Sequence, residues 1–272
     1  MEQYVRALTI AGFDGSGGAG IQADIKTFSA LSCYAMSVLT ALPVQNTTGV
    51  KNIYELPISC IAEQCEAIFE DIGVDAVKIG MLFNSKVIEA VSACLRKYRP
   101  KIVVVDPVML AKSGHALLEE DAITALIELI FPLATVITPN IPEASGLLRE
   151  DLSSEDSIIK GAKSLADLGP KSVLIKGGHS AGSDSKDLLY MNGSIEWFSS
   201  PRIKTINDHG TGCTLSAAIA AFLAHGHPIF DAVAKAKAYI TGALKSGSEY
   251  KVGNGHGPVH HFYNLWQEEV GV

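Results

Sequence analysis

Short apolar runs rich in β-branched residues recur along the chain: ALTIAG near the start, VLTALPV at 38–44, AVKIG at 76–80, KIVVVD at 101–106, ATVITP at 134–139 and SVLIKG at 172–177. Runs of this length predict strands buried on both faces. Between most of them lie ISCIAEQCEAIFEDI, SKVIEAVSACLRKY, EDAITALIELI and SEDSIIKGAKSLADL, in which apolar residues return every three or four positions, the spacing of a helix with one buried stripe. Strand alternating with helix implies right-handed crossovers and a mainly parallel sheet with helices on both faces. KDLLYMNGSIEWFSS breaks the rhythm, because Asn192-Gly193 between two apolar alternations predicts a late hairpin. No linker-like tract, low-complexity segment or internal repeat divides the chain, so a single α/β domain over residues 1–272, a three-layer αβα sandwich, is expected.

Composition narrows the partners. Hydrophobic residues make up 47% of the chain and charged residues 19%, enough for a large core. The formal net charge is -7, and no run of Lys and Arg offers a footprint for nucleic acid or an acidic membrane surface. An anionic ligand must therefore be held by local groups. Five cysteines are scattered singly, and Cys60 and Cys65, the closest pair, lack the spacing of a zinc or redox motif, so reduced thiols are expected. Neither a signal peptide nor a stretch approaching the ~20 apolar residues of a membrane span is apparent, and a cytoplasmic location is expected.

Ligands of such sheets gather beyond the carboxyl ends of the strands. Gln45, Asp106, Asn140, Glu143 and Lys176 all follow predicted strands and fall on that rim. Asp106 and Glu143 are hard oxygen ligands that Asn140 can support, together able to hold a divalent cation; Asp-Pro and Pro-Asn-x-Pro-Glu are equally turn and cap chemistry. Lys176 can neutralise a phosphate or extend to solvent. GTGC at 210–213 opens an apolar helix whose first-turn N–H groups and dipole suit an anion, and Gly210 and Gly212 let a ligand approach closely; an ordinary helix start capped by Thr211 or Thr214 fits as well. Cys213 there is either a small buried residue or a thiol that accepts a proton. A second glycine-rich loop, AGFDGSGGAG, precedes another helix, with Asp24 one turn in, placed either to face the rim or to complement the helix dipole. No Walker A sequence is present, and GTGCTLS lacks the early βαβ context of a dinucleotide fingerprint.

Taken in order, AGFDGSGGAGIQADIKTFSAL, LTALPVQNTTGV, VKIGML, VVVDPVM, ITPNIPEA, IKGGH and HGTGCTLSAAIAAFLAHG resemble the ribokinase-like superfamily, most closely its hydroxymethylpyrimidine/phosphomethylpyrimidine kinases of thiamine biosynthesis. The resemblance implies a ribokinase-like fold and two successive phosphorylations by ATP with Mg2+, first of a hydroxymethyl group on an aminopyrimidine and then of the monophosphate. It makes Gly210, Thr211, Gly212 and Cys213 an anion hole, with Cys213 as proton acceptor, and gives Lys176 to phosphate and Asp106, Asn140 and Glu143 to magnesium. Gln45, whose amide offers one acceptor and two donors, would read the ring edge. Gly12, Asp24, Val44, Met81 and Val108 match the remaining pocket positions, Asp24 for a polar edge and the others as walls. A homodimer is implied too.

Two positions depart from the family's usual Ala-Gly-Ser-Asp-Pro-Ser-Gly-Gly-Ala-Gly: Phe13 replaces the small serine and Gly15 the proline, which bears on pocket width and loop freedom. Pyridoxal or pyridoxine kinases share the Gly-Thr-Gly-Cys turn and form the alternative; Gln45 favours the aminopyrimidine.

Overall fold

The computed structural model describes residues 3–109, 120–178 and 183–266. In chain order its strands are β1 (Val5–Ala11), β2 (Cys33–Leu39), β3 (Ala41–Asn46), β4 (Gly49–Glu55), β5 (Ala76–Ile79), β6 (Val103–Val105), β7 (Val136–Ile137), β8 (Ser172–Ile175), β9 (Asp184–Met191) and β10 (Ser194–Pro201). Its helices are α1 (Gly20–Ala30), α2 (Ile58–Asp71), α3 (Ser85–Tyr98), α4 (Glu120–Ala125), α5 (Ile141–Leu148), α6 (Glu155–Ala166), α7 (Thr211–Ala224) and α8 (Ile229–Gly247). Eight strands form one sheet in the order β10-β9-β8-β7-β6-β5-β1-β2, while β3 and β4 pair separately. The six strands from β8 to β2 run parallel, and β9 and β10 are antiparallel.

Alternation along each strand builds two cores. Val77, Ile79, Val103, Val105 and Ile137 face α2 through α6, whereas Ala7, Val104, Val136, Leu174 and Leu189 face α1, α7 and α8. The sheet is thus covered on both sides, as the apolar runs predict. The hairpin at Asn192-Gly193 is present with both residues at positive φ, 50° and 81°, as a type I′ turn requires.

Two expectations change. VLTALPV is not one buried strand: the chain leaves the sheet at Thr40, whose N–H donates to Ala11 O (3.0 Å) and whose hydroxyl donates to Met81 O (2.7 Å), and β3 then starts a separate hairpin. EDAITALIELI is α-helical only to Ala125, then widens into a π turn over Leu126–Ile130 and tightens to a 3₁₀ turn at Phe131–Leu133, where Pro132 ends the helical ladder.

Candidate active site

β2 lies on one side of β1 and β5 to β10 on the other, so the order of the sheet reverses between β1 and β5, where α/β sheets place their ligands. A cleft of about 1030 Å³ opens there, at the carboxyl ends of the strands.

Its floor is a charged cluster carried by strand ends. Asp106, 2% exposed, accepts hydrogen bonds from Lys176 Nζ (2.6 Å) and Thr138 Oγ1 (3.2 Å). Lys176 also lies 3.9 Å from Glu143 Oε2. Burial alone would lower the Lys176 ammonium, but Asp106 and Glu143 outweigh it and leave it raised. Burial pushes the Glu143 carboxyl up to about 7, against the pull of Lys176 and with Asp106 adding to the rise. Asn140 and Glu143 line the cleft and also build the capping box of α5: Asn140 Oδ1 accepts from Glu143 N (2.8 Å), and Glu143 Oε2 accepts from Asn140 N (2.7 Å). The cap reading of this segment is therefore met, and the same two residues also line the cleft.

Over this floor stands the start of α7. Gly210 is its N-cap with φ 79°, and a side chain there would collide with the carbonyl of Gly18. The two glycine-rich loops are thus in direct contact. A Cβ at Gly212 would sit 3.3 Å from both Asp106 Oδ2 and Lys176 Nζ, so the first turn of α7 lies on the ion pair. No side chain caps this helix, and the Thr211 hydroxyl instead donates to Asp208 O (2.6 Å). The first-turn N–H groups of Gly212 and Cys213 have no intrahelical acceptor, and both residues line the cleft. Burial pushes the Cys213 thiol up to about 11, while Lys78 pulls the other way.

Gly12, Gln45, Met81 and Val108 line one end of the cleft, with Phe13 and Pro43. A Cβ at Gly12 would lie 3.0 Å from Met81 Sδ, so these two walls close on each other. Two expected pocket residues are elsewhere. Val44 is 45% exposed, because Pro43 and Gln45 take the cleft side of β3 and the residue between them points away. Asp24 is fully buried, bound to Lys78 Nζ (2.8 Å) and Thr9 Oγ1 (2.6 Å), and lies behind the cleft wall without lining it.

Several lining residues escaped the sequence reading. Lys78 is one, although a lysine inside AVKIG is a visible anomaly. Arg202, Ile203 and Thr205 also line the cleft, as do Ile240, Thr241 and Leu244 of α8, and nothing in their local pattern separates them from ordinary loop and helix positions. Lys237 binds Asp187 Oδ2 (2.7 Å), whose other oxygen accepts from Gly177 N (2.9 Å) and so fixes the residue after Lys176.

A parallel αβα sandwich with a glycine turn over a Lys-Asp pair at the strand ends defines a kinase of the ribokinase-like class. Residues 14–260 match the family model described as phosphomethylpyrimidine kinase. The chain belongs to this family. It is 46% identical to the hydroxymethylpyrimidine/phosphomethylpyrimidine kinase of Escherichia coli, covering 96% of this chain and 99% of that protein. It is 50% identical to the thiamine biosynthesis bifunctional protein ThiED of Geobacter sulfurreducens over 93% of its length, but spans only 51% of that protein. Among solved structures, phosphomethylpyrimidine kinase from Clostridium difficile matches with a TM-score of 0.79 at 46% identity, covering 88% of this chain and 99% of that one. An ADP complex of Bacillus subtilis pyridoxal kinase matches with a TM-score of 0.89 at 39% identity, covering 97% and 100%.

Proposed function

We propose that this chain, as one kinase domain, transfers the γ-phosphoryl group of ATP to the hydroxymethyl group of 4-amino-5-hydroxymethyl-2-methylpyrimidine, and then phosphorylates the resulting monophosphate to the diphosphate, in thiamine diphosphate biosynthesis. One observation carries the assignment: a single cleft joins Gly12, Gln45, Met81 and Val108 to the first turn of α7 above Lys176 and Asp106. The ring lies between Met81 and Val108, with the Gln45 amide at its polar edge. Its hydroxymethyl group points toward Cys213, which accepts the proton. Backbone N–H groups at Gly212 and Cys213 and the Lys176 ammonium meet the charge that moves between phosphates. The nucleotide occupies the other end, its base between Ile203 and the Ile240–Leu244 stretch of α8.

The residues present fit a magnesium ion. Burial raises the proton affinity of Glu143 and Asp106 adds to it against the pull of Lys176, so two carboxylates face one ammonium at this end of the cleft, a hard-oxygen pair that a cation would favour. Among the described residues no group of three His, Cys, Asp or Glu side chains could hold a metal, so Asp106 and Glu143 would hold it together with water and phosphate oxygens, as magnesium prefers. Bound there, it would supply charge neutralisation to the phosphates.

A cytoplasmic homodimer is part of the same proposal. No helix among the described residues is long and apolar enough to cross a membrane, and the β3–β4 hairpin presents Val44 and Tyr54 to solvent, 45% and 58% exposed. Pyridoxal stays in the test, because a Staphylococcus aureus pyridoxal kinase solved with AMP-PCP and pyridoxal matches at 35% identity and a TM-score of 0.88. The deciding experiment offers hydroxymethylpyrimidine, its monophosphate, pyridoxal and pyridoxine with MgATP and detects phosphorylated product directly. Turnover of pyridoxal with none of either pyrimidine would overturn the assignment.

A further inference from the structure

After α8, Gly253, Gly255 and Gly257 alternate with Asn254 and His256 before Pro258. Each of these glycines faces a neighbour that leaves no room for a side chain. A Cβ at Gly253 would collide with the Thr47 side chain, one at Gly255 with the Thr47 carbonyl, and one at Gly257 with Asn207 Oδ1. The segment is thus a strap pressed against two parts of the molecule, the tip of the β3–β4 hairpin and the loop that leads into α7. Hydrogen bonds fasten it to both. Gly255 N donates to Thr47 Oγ1 (3.2 Å) and His256 N to Thr47 O (2.8 Å), while His209 N donates to Gly257 O (3.0 Å) and His209 pairs with Pro258 in a parallel bridge.

His256 touches both sides. Its N–H holds the hairpin tip, and its Nδ1 donates to Asp208 Oδ1 (2.8 Å). Asp208 O in turn accepts from the Thr211 hydroxyl (2.6 Å), in the first turn of α7. On the hairpin side, Thr47 lies two residues after Gln45, and β4 carries an extra residue opposite the Val44–Gln45 step, a bulge of the kind that re-aims side chains. Among the described residues β3 and β4 pair only with each other, and two strands alone are marginally stable in water. The base of the hairpin is anchored by Phe13 N to Ala41 O (3.0 Å) and by Ala41, Val50 and Ile53, which cluster with Met81 and Val108. The strap is the second hold, at the tip. The His256–Asp208 pair is 49% and 27% exposed, and pairs this open add little to stability. What it fixes is a distance, with Gln45 on one side and the α7 turn on the other.

We propose that His256 is a positioning residue for phosphoryl transfer, joining the hairpin that carries Gln45 to the turn that opens α7 and so holding the ring at one spacing from the transferring phosphate. The role rests on Gln45 meeting the ring and the α7 turn meeting the phosphates, as in the proposed function. His256 itself lies outside the cleft lining and acts through Thr47 and Asp208. The spacing matters because a displacement of about 1 Å between reacting groups costs about a hundredfold in rate. Without the His256 side chain the hairpin keeps its base and drifts at its tip, taking Gln45 with it.

The test begins with the tie itself, by hydrogen exchange and mass spectrometry on the full-length protein without ligands. Peptides spanning the hairpin, Ala41 to Glu55, should exchange several-fold faster in His256→Ala and in Gly255→Ala than in wild type, the second because a Cβ there pushes the strap off the Thr47 carbonyl. His256→Asn, which keeps a donor where Nδ1 stands, should exchange as wild type does. Unchanged exchange in either alanine variant overturns the proposal. Kinetics with hydroxymethylpyrimidine and MgATP then read the consequence. His256→Ala should lower kcat/KM for the pyrimidine about tenfold and leave ADP affinity unchanged, with His256→Asn restoring most of the loss. In a Gln45→Leu background the same alanine substitution should cost no more than about twofold, because the group it positions is already gone. Losses that multiply in full, as a smaller folded fraction would give, overturn the proposal. Pyrimidine turnover that Gln45→Leu leaves unchanged overturns it too, with the proposed function upheld. If pyridoxal is turned over and neither pyrimidine is, the cycle is run with pyridoxal: a non-additive loss there keeps the positioning role and rejects the pyrimidine assignment, and a fully multiplying loss rejects both.

Discussion

Asp14 ties the two glycine-rich loops together, and acid should release it in a measurable way. It is fully buried, and its carboxylate accepts from Ser16 N (2.9 Å), Ser16 Oγ (2.6 Å), Gly18 N (3.1 Å), Ala19 N (2.7 Å) and His209 Nε2 (2.8 Å). Burial by itself would raise the carboxyl, but the donors from His209, Ser16 and Ala19 outweigh it and hold it at about 2. A group whose ordinary value is 3.8 and whose folded value is about 2 contributes about 2 kcal/mol of stability. Because the folded value is the lower one, this contribution is complete above about pH 4 and is lost as the pH falls toward 2, with about 1 kcal/mol gone by pH 3. Asp14→Asn abolishes the titration and keeps one acceptor oxygen for the same donors. Urea unfolding of wild type and variant between pH 3 and pH 6 should therefore show a gap at pH 6 that narrows by about 1 kcal/mol at pH 3. Parallel pH profiles would refute the claim that Asp14 is held ionised by its donors.

Three further outcomes are expected. Gln45→Leu should lower kcat/KM for the pyrimidine at least about tenfold while leaving nucleotide affinity unchanged, since a buried ring edge loses its partners; equal kinetics with both pyrimidine substrates would remove Gln45 from the ring site. Glu143→Gln should raise the magnesium concentration for half-maximal activity several-fold, about the effect of losing one charged ligand, while the amide still closes the α5 cap and thermal stability changes little; an unchanged magnesium curve would leave Glu143 as a cap alone. Cys213→Ala should slow single-turnover phosphorylation of the alcohol by roughly a hundredfold and spare the monophosphate, whose nucleophile is already ionised; equal losses on both would end its assignment as a base.

The layers of the fold were legible because each central strand is a continuous apolar run and each covering helix keeps a spaced stripe, as in KIVVVD and SKVIEAVSACLRKY. The break at Thr40 was not: an apolar run reads the same through a turn, and what divides it is a pair of long-range hydrogen bonds to Ala11 and Met81. The charged floor of the site was readable from residues that follow strands, since Asp106 and Lys176 have to emerge at the same rim. The Asn140–Glu143 cap was legible too, being a three-residue spacing within one helix start, whereas the pairing of Asp106 with Lys176 depends on a distance between elements that spacing does not encode. Asp24 and Val44 were misplaced for different reasons. Val44 fell to the two-residue period of β3, whose phase is set by Gln45. Asp24 was drawn behind the wall by Lys78, a partner on another element and far away in sequence.

The departures at positions 13 and 15 are coupled. A Cβ built on Gly15 would lie 3.1 Å from Cε1 of Phe13, so the ring covers the space that a larger residue at 15 would need. Gly15 also follows Asp14 in the turn closed by Gly17 N to Asp14 O (2.9 Å), at the position where proline is otherwise favoured. The order of substitution is therefore constrained along any path between this loop and the family's usual one. Serine at 13 first clears the ring and leaves position 15 open to proline, whereas proline at 15 first meets an occupied site. Ancestors or engineered intermediates carrying Phe13 together with a bulkier residue at 15 should be depleted relative to those carrying Ser at 13 with Gly15, so that the loop records a history as well as a shape.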